Sequence, residues 1–269
     1  MSKAYLETAI LTNILLKHGS ALQASAKSAL KRYDRTLLPV YAIKEWKAGP
    51  LEYYAYVHNK LLLTKSLAAT IDAINAIPRM QYRMRTSLEA LATAIRIDSG
   101  AEATTTGSSV SKMRDRELAT RYRLVLATLI KLSWRRRRRV ADETVQDLAC
   151  YVESEPYFDK HGLLNLDPKQ CERDSECCLA AALKARPDLL TRLRNSIPEE
   201  SSRVEDRERR KVLKELIKRP AGRLDRDQCR RLGDAVFAFF CPTDAVILTT
   251  NIRDHVPLAA SIGKKAEAP

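Results

Sequence analysis

The sequence predicts an α/β fold: a short parallel sheet flanked by helices, carrying a mostly helical insertion. Two observations carry that prediction. Strand-then-helix patterns stand at both ends of the chain, and a long stretch of helical periodicity fills the middle. Residues 1–50 and 206–269 are therefore assigned to one core assembled from both termini, and residues 51–205 to the insertion.

The elements follow in order. Residues 3–11 read as a short buried strand that runs into an apolar helix through about Ser28. Residues 36–43 form a second apolar run in which Pro39 marks an edge or the start of an element, with the helix-like stretch around Trp46 after it. Gly49-Pro50 predicts a break. From Leu51 to about Ile97 the apolar residues recur at helical spacing, punctuated by Pro78. Residues 99–111, small and polar without periodicity, predict a mobile loop, and a helix over about 113–134 follows. Residues 141–205 are mixed and mostly helical, with one helix begun near Asp174 and broken at Pro187. Residues 203–218 predict a charged helix, solvated on most faces. Leu224–Phe240 reads as a helix, Ala245–Thr250 as a strand, and the closing residues as a turn and a short helix.

Bulk chemistry narrows the function classes. With 269 residues and 45% hydrophobic content, the chain can bury a core and is not wholly disordered. No apolar run has membrane-spanning length, and the N-terminal apolar stretch contains Glu7 and lacks a small-residue cleavage site, so it reads as folded protein. A cytoplasmic location is expected, and the six cysteines read as reduced thiols; zinc held by Cys171, Cys177 and Cys178 is the weaker alternative. A formal net charge of +14 attracts polyanions, of which nucleic acid is the usual one, although an acidic protein partner satisfies the same charge.

The C-terminal stretch carries the chemistry. Asp234 follows Gly233 and opens an apolar helix, where the helix dipole favours a carboxylate. The strand at 245–250 then delivers Asn251 and Asp254 past its carboxyl end, which is where open parallel sheets bind ligands. Taken singly, an N-cap at Asp234 and a turn aspartate at Asp254 are the simpler readings. Together, Gly233-Asp234-Ala235-Val236 and Thr249-Thr250-Asn251-Ile252-Arg253-Asp254 resemble the end of the PIN-domain nuclease family. Tyr5-Leu6-Glu7-Thr8-Ala9-Ile10-Leu11 is similar to that family's opening strand with glutamate in place of aspartate, and Glu45 stands where its second acid does.

The resemblance covers residues 3–50 and 224–265 and implies a PIN-like, metal-dependent nuclease acting on RNA, or else DNA. Glu7, Glu45, Asp234 and Asp254 would then be the catalytic acids and ligands of Mg²⁺ or Mn²⁺, since hard cations take oxygen donors. Asn251, Thr8 and Thr249 would be auxiliary. Many relatives are toxins of toxin–antitoxin or phage-defence systems, which implies an inhibitory or regulatory protein partner and is compatible with homo-oligomers; no membrane is implied. Glu7 departs from the pattern, because its extra methylene moves the carboxylate outward. A catalytically weak PIN-fold protein that binds nucleic acid or acts as a scaffold is the alternative, and an all-helical regulator is a third reading. Asp174 is the rival of Asp234 for the third acid.

Arg135, Arg136, Arg137, Arg138 and Arg139 read equally as a nucleic-acid contact and as a solvated helix end, because five successive helical residues point all around the axis. Arg79, Arg83 and Arg85, with Tyr82 among them, read as an ordinary wet helix face, and His18, His58, His161 and His255 as isolated residues.

Overall fold

The computed structural model describes residues 2–77, 81–102, 114–148, 150–151, 153–166, 177–218 and 224–269. A five-stranded, all-parallel sheet lies at its centre, in the order β3-β2-β1-β6-β7, flanked by helices. The strands are β1 (Lys3–Leu6), β2 (Arg35–Pro39), β3 (Glu143–Val145), β6 (Ala245–Leu248) and β7 (Lys265–Glu267). β4 (Tyr157–Phe158) and β5 (Leu164–Asn165) form a separate antiparallel pair.

β1 is central because Ala4, Tyr5 and Leu6 are apolar on consecutive positions, which suits a strand covered on both faces. It pairs with β2 through Tyr5↔Leu37 and with β6 through Tyr5↔Ile247. After β1 the chain turns into α1 (Thr8–Leu16) and, past Gly19 at φ +68°, into α2 (Ala21–Leu30). Two helices thus replace the single expected one, since Ser20 caps the second through Gln23 N at 3.2 Å.

α3 (Val40–Trp46) follows β2 directly. The expected break at Gly49-Pro50 does not occur. Lys47–Leu51 instead form a π-helical turn that leads straight into α4 (Glu52–Thr64). A π-turn shifts the hydrogen-bond frame and so absorbs the missing Pro50 amide without ending the helix. α5 (Leu67–Asn75), α6 (Gln81–Glu102) and α7 (Asp115–Arg136) complete a bundle in which α4 packs on both α6 and α7. α6 runs through residues expected in the 99–111 loop; the remainder of that loop lies outside the described residues. Ser133 of α7 donates to Leu15 O at 2.9 Å, and Trp134 stacks on Trp46 at 6.3 Å, which fastens the bundle to the core.

The core is not built from the termini alone. β3, inside the 51–205 stretch, pairs with β2, and Asp147 just beyond it accepts from Tyr41 N at 3.0 Å and Tyr5 Oη at 3.1 Å. β7 was likewise not foreseen after the closing helix, α13 (Ile252–Ser261). α8 (Cys178–Lys184) and α9 (Pro187–Asn195) start later than the helix expected near Asp174, and Asp174, Cys171 and Glu176 lie outside the described residues, as does Arg79. α10 (Val204–Lys218) buries Arg209, Val212 and Leu213 and is less solvated than its composition suggested. The expected single helix over 224–240 is two, α11 (Arg226–Leu232) and α12 (Asp234–Phe240), divided at Gly233 with φ +34°. Among the described residues no helix is long and apolar enough to cross a membrane.

Candidate active site

The sheet reverses direction of strand addition at β1, between β2 on one side and β6 on the other. Crevices form outside the carboxyl ends of strands at such a switch point. Glu7 follows β1 there, Glu45 sits on α3 after β2, and Asn251 and Asp254 open α13 after β6.

Glu7 is the N-cap of α1 and is buried. Its Oε2 accepts from Ala9 N at 2.9 Å and from Thr249 Oγ1 at 3.3 Å, and Thr249 Oγ1 in turn accepts from Asn251 N at 2.9 Å. Thr8 Oγ1 donates to Glu45 Oε2 at 2.8 Å. Both auxiliary threonines thus hold glutamates in place. Burial pushes the Glu45 carboxyl up to about 7, against the Thr8 hydrogen bond and with help from the fields of Asp234 and Glu7. Glu7 is also raised, by burial first, with His255 opposing and Asp234 adding. The three carboxylates therefore feel one another, as clustered like charges do in the absence of a cation.

Asp234 and Asp254 have cationic partners that sequence reasoning missed. Arg209 Nη2 donates to Asp234 Oδ2 at 2.6 Å, while His255 Nε2 lies 3.1 Å from Asp234 Oδ1, an ion-pairing distance without the alignment of a hydrogen bond. Burial pushes Asp234 up, but the His255 contact and the Arg209 guanidinium outweigh it and hold it below the usual carboxylate range. His255, with no exposed surface, is correspondingly raised: burial lowers it, and Asp234, Glu7 and Glu45 together overcome that. It is not an isolated histidine. Arg203 takes both oxygens of Asp254, and Asn251 Nδ2 donates to Asp254 Oδ2 at 3.0 Å; the Arg203 bonds hold Asp254 at about 2. Arg203 immediately precedes α10 and Arg209 lies within it, in a charged stretch that gave no sign that these two arginines turn inward. His255 was signalled only by its position next to Asp254.

Glu7 and Glu45 open onto a cleft of about 1040 Å³ between the core and the helical bundle, walled by Tyr41, Tyr53, Tyr82, Arg83 and Lys17. Asp254 opens onto a smaller hollow of about 260 Å³ beside Arg203, Arg209 and Arg253. Glu7 and Glu45 accordingly share one opening, Asp254 faces another and Asp234 lines neither, and among the described residues no three acidic, histidine or cysteine groups stand close enough to hold a metal ion between them.

The arginine run divides. Arg137 stacks on Trp134 at 3.7 Å and pairs with Glu153, and Arg138 pairs with Glu153 as well. Arg135, Arg136 and Arg139 are exposed, and none of the five lines the cleft. Cys177, Cys178 and Cys241 are free thiols.

No family model, curated protein or solved structure matches the chain.

Proposed function

We propose that the protein is a PIN-like, metal-dependent nuclease that hydrolyses phosphodiester bonds of RNA, or of DNA, at the mouth of the cleft. One observation carries the reading most. Glu7 and Glu45 lie past the carboxyl ends of the adjacent parallel strands β1 and β2 and line one cleft, and both are raised in pKa by burial and by the field of Asp234, Glu45 also by that of Glu7. Such a cluster gains stability from a divalent cation.

The donor set fits Mg²⁺ or Mn²⁺ in kind. Ala9 N and Thr249 engage Oε2 of Glu7, and Thr8 engages Oε2 of Glu45, whose carboxylate also hydrogen-bonds with the Tyr41 hydroxyl; Oε1 of Glu7 and the remaining lone pairs of Glu45 would take a cation. Bound there, the cation would supply Lewis acidity toward a scissile phosphate. Glu7 and Glu45 would hold it, with Asp234 close by; Thr8 and Thr249 would fix the glutamate rotamers. Asp254 and Asn251 would orient α13, and His255 would hold Asp234. A net charge of +14 draws the polyanion in, and exposed Arg135, Arg136 and Arg139 add to that field away from the cleft. A toxin or phage-defence setting, with an inhibitory protein partner, suits such an activity.

A second reading, a PIN-fold protein that binds nucleic acid without efficient cleavage, is favoured by a specific observation: Arg203, Arg209 and His255 already neutralise Asp254 and Asp234. Titration with Mn²⁺, followed by the loss of its free-ion spin-resonance signal, tests the metal site. The nuclease reading predicts saturable binding that Glu45→Gln and Asp234→Asn weaken. Equal binding by parent and variants overturns it. Glu7→Asp separates the two readings in a cleavage assay: a gain marks a blunted nuclease, and continued inactivity supports the binding role.

A further inference from the structure

The wall of the cleft opposite the glutamates comes from α4 and α6, in the helical bundle that has no counterpart in the resemblance noted at the two ends. It is aromatic and basic. Tyr82 is 62% exposed, a large fraction for a tyrosine with a cleft beside it. It stands edge-on to Tyr53 of α4, with ring centroids 5.9 Å apart at 75°. The edge contact fixes the Tyr82 ring while leaving ring surface uncovered. The Tyr82 phenol also lies within the field of Glu7: its pKa is raised by burial first and then by Tyr53, against a Thr86 hydrogen bond, with Glu7 and Glu89 contributing.

Cations flank this ring on the same helix. The guanidinium of Arg83 packs over the Tyr56 ring at 5.0 Å, and its Nε is buried in the cleft wall with no hydrogen-bond partner among the described residues. A buried, unpaired guanidinium nitrogen is costly to maintain unless an acceptor reaches it. Arg85 is 80% exposed in its side chain and lies 3.4 Å from Glu89. A flat ring with an open face, a fixed neighbour and two guanidiniums within three residues matches the alternation of base and phosphate along a single strand. Base stacking onto tyrosine works for any base, because every base offers a π-face, whereas a duplex keeps its bases stacked on each other.

We propose that Tyr82, braced by Tyr53, is a nucleobase-stacking subsite for single-stranded nucleic acid, with Arg83 and Arg85 taking the adjoining phosphate, beside the Glu7–Glu45 end of the cleft. The proposal rests on the nuclease reading for what happens to the strand, but the subsite itself binds without a metal. It makes the helical bundle the part of the molecule that selects unpaired strand.

Fluorescence anisotropy with labelled oligouridylate and oligothymidylate, in chelator so that no cleavage intervenes, tests it. Tyr82→Ala weakens binding by about 5- to 100-fold, the range for loss of one base–aromatic stack, while Tyr82→Trp retains it. An oligonucleotide of the same length made of abasic sugars binds weakly and is indifferent to Tyr82→Ala, since phosphate contacts remain. Tyr82 is exposed, so an unchanged unfolding midpoint shows that the fold is kept. Equal affinity of parent and Tyr82→Ala for the base-bearing strand overturns the subsite, as does an equal loss on the abasic strand. The two proposals fail separately: Tyr82-dependent binding with no cleavage in Mn²⁺ removes the nuclease and leaves the subsite. Metal-dependent cleavage with a KM indifferent to Tyr82→Ala does the reverse.

Discussion

Replacing Asp147 with Asn probes how the third strand is tied to the sheet. Asp147 accepts from Tyr41 N and from the Tyr5 hydroxyl, and burial outweighs both bonds to raise its carboxyl to about 6 from 3.8. A raised folded-state pKa means that the folded chain holds the proton more tightly than the unfolded chain. The contribution is fully present below about pH 4 and is lost as pH rises through about 6. The shift of about two units corresponds to about 3 kcal/mol, discounted to about 2 kcal/mol because the residue is only partly buried. Asparagine does not titrate. It keeps one oxygen for Tyr41 N, and its amide donates to the Tyr5 hydroxyl. In urea unfolding between pH 4 and 7.5, Asp147→Asn therefore has nearly the parent's stability at the acid end and exceeds it by about 2 kcal/mol at pH 7.5. Subtracting the two profiles removes the carboxylates they share. A difference that stays flat across that range refutes the reasoning.

Other substitutions follow from the same contacts. Arg209→Met strands the Asp234 charge beside His255 and lowers stability by about 2–4 kcal/mol in chelator, and added Mn²⁺ restores more stability to it than it gives the parent; thermal unfolding with and without Mn²⁺ checks both halves. Asp254, held at about 2 by Arg203, contributes stability present above about pH 4 and lost as pH falls through 2; Arg203→Ala forfeits about 2 kcal/mol of it at neutral pH, read from urea midpoints at pH 3 and 7. Gly233→Ala forces a side chain into φ +34°, with its Cβ 3.3 Å from Arg230 O, and costs about 1–3 kcal/mol in the same assay.

How much of this was legible in the sequence depended on whether the signal was local. β1 and β6 announced themselves because central parallel strands are apolar on consecutive residues, as Ala4-Tyr5-Leu6 and Val246-Ile247-Leu248 are. β3 and β7 are three-residue edge strands, Glu143-Thr144-Val145 and Lys265-Ala266-Glu267, whose half-polar composition is indistinguishable from loop. The acids could be named because each opens or follows an element in its own neighbourhood. Their partners could not. Arg203 and Arg209 meet Asp254 and Asp234 across the chain, and nothing along a charged helix tells which arginine faces inward. The Gly49-Pro50 break failed for a similar reason: the tertiary setting of a buried Trp46, Lys47 and Leu51 favours a π-turn over a chain reversal. Tyr82 looked like part of a wet helix face because the cleft it borders is formed by residues distant in sequence.

Metal-dependent cleavage is the most direct test of the central proposal, a cation-requiring catalytic site at Glu7 and Glu45 beside Asp234. Purified protein is incubated with end-labelled single-stranded RNA and DNA in Mn²⁺, in Mg²⁺ and in chelator, beside Glu45→Gln. The account predicts cleavage by the parent in metal alone and a loss of about 100-fold or more in Glu45→Gln at unchanged fold. Intact substrates with the parent in every metal, or cleavage by Glu45→Gln at the parent's rate, would contradict it.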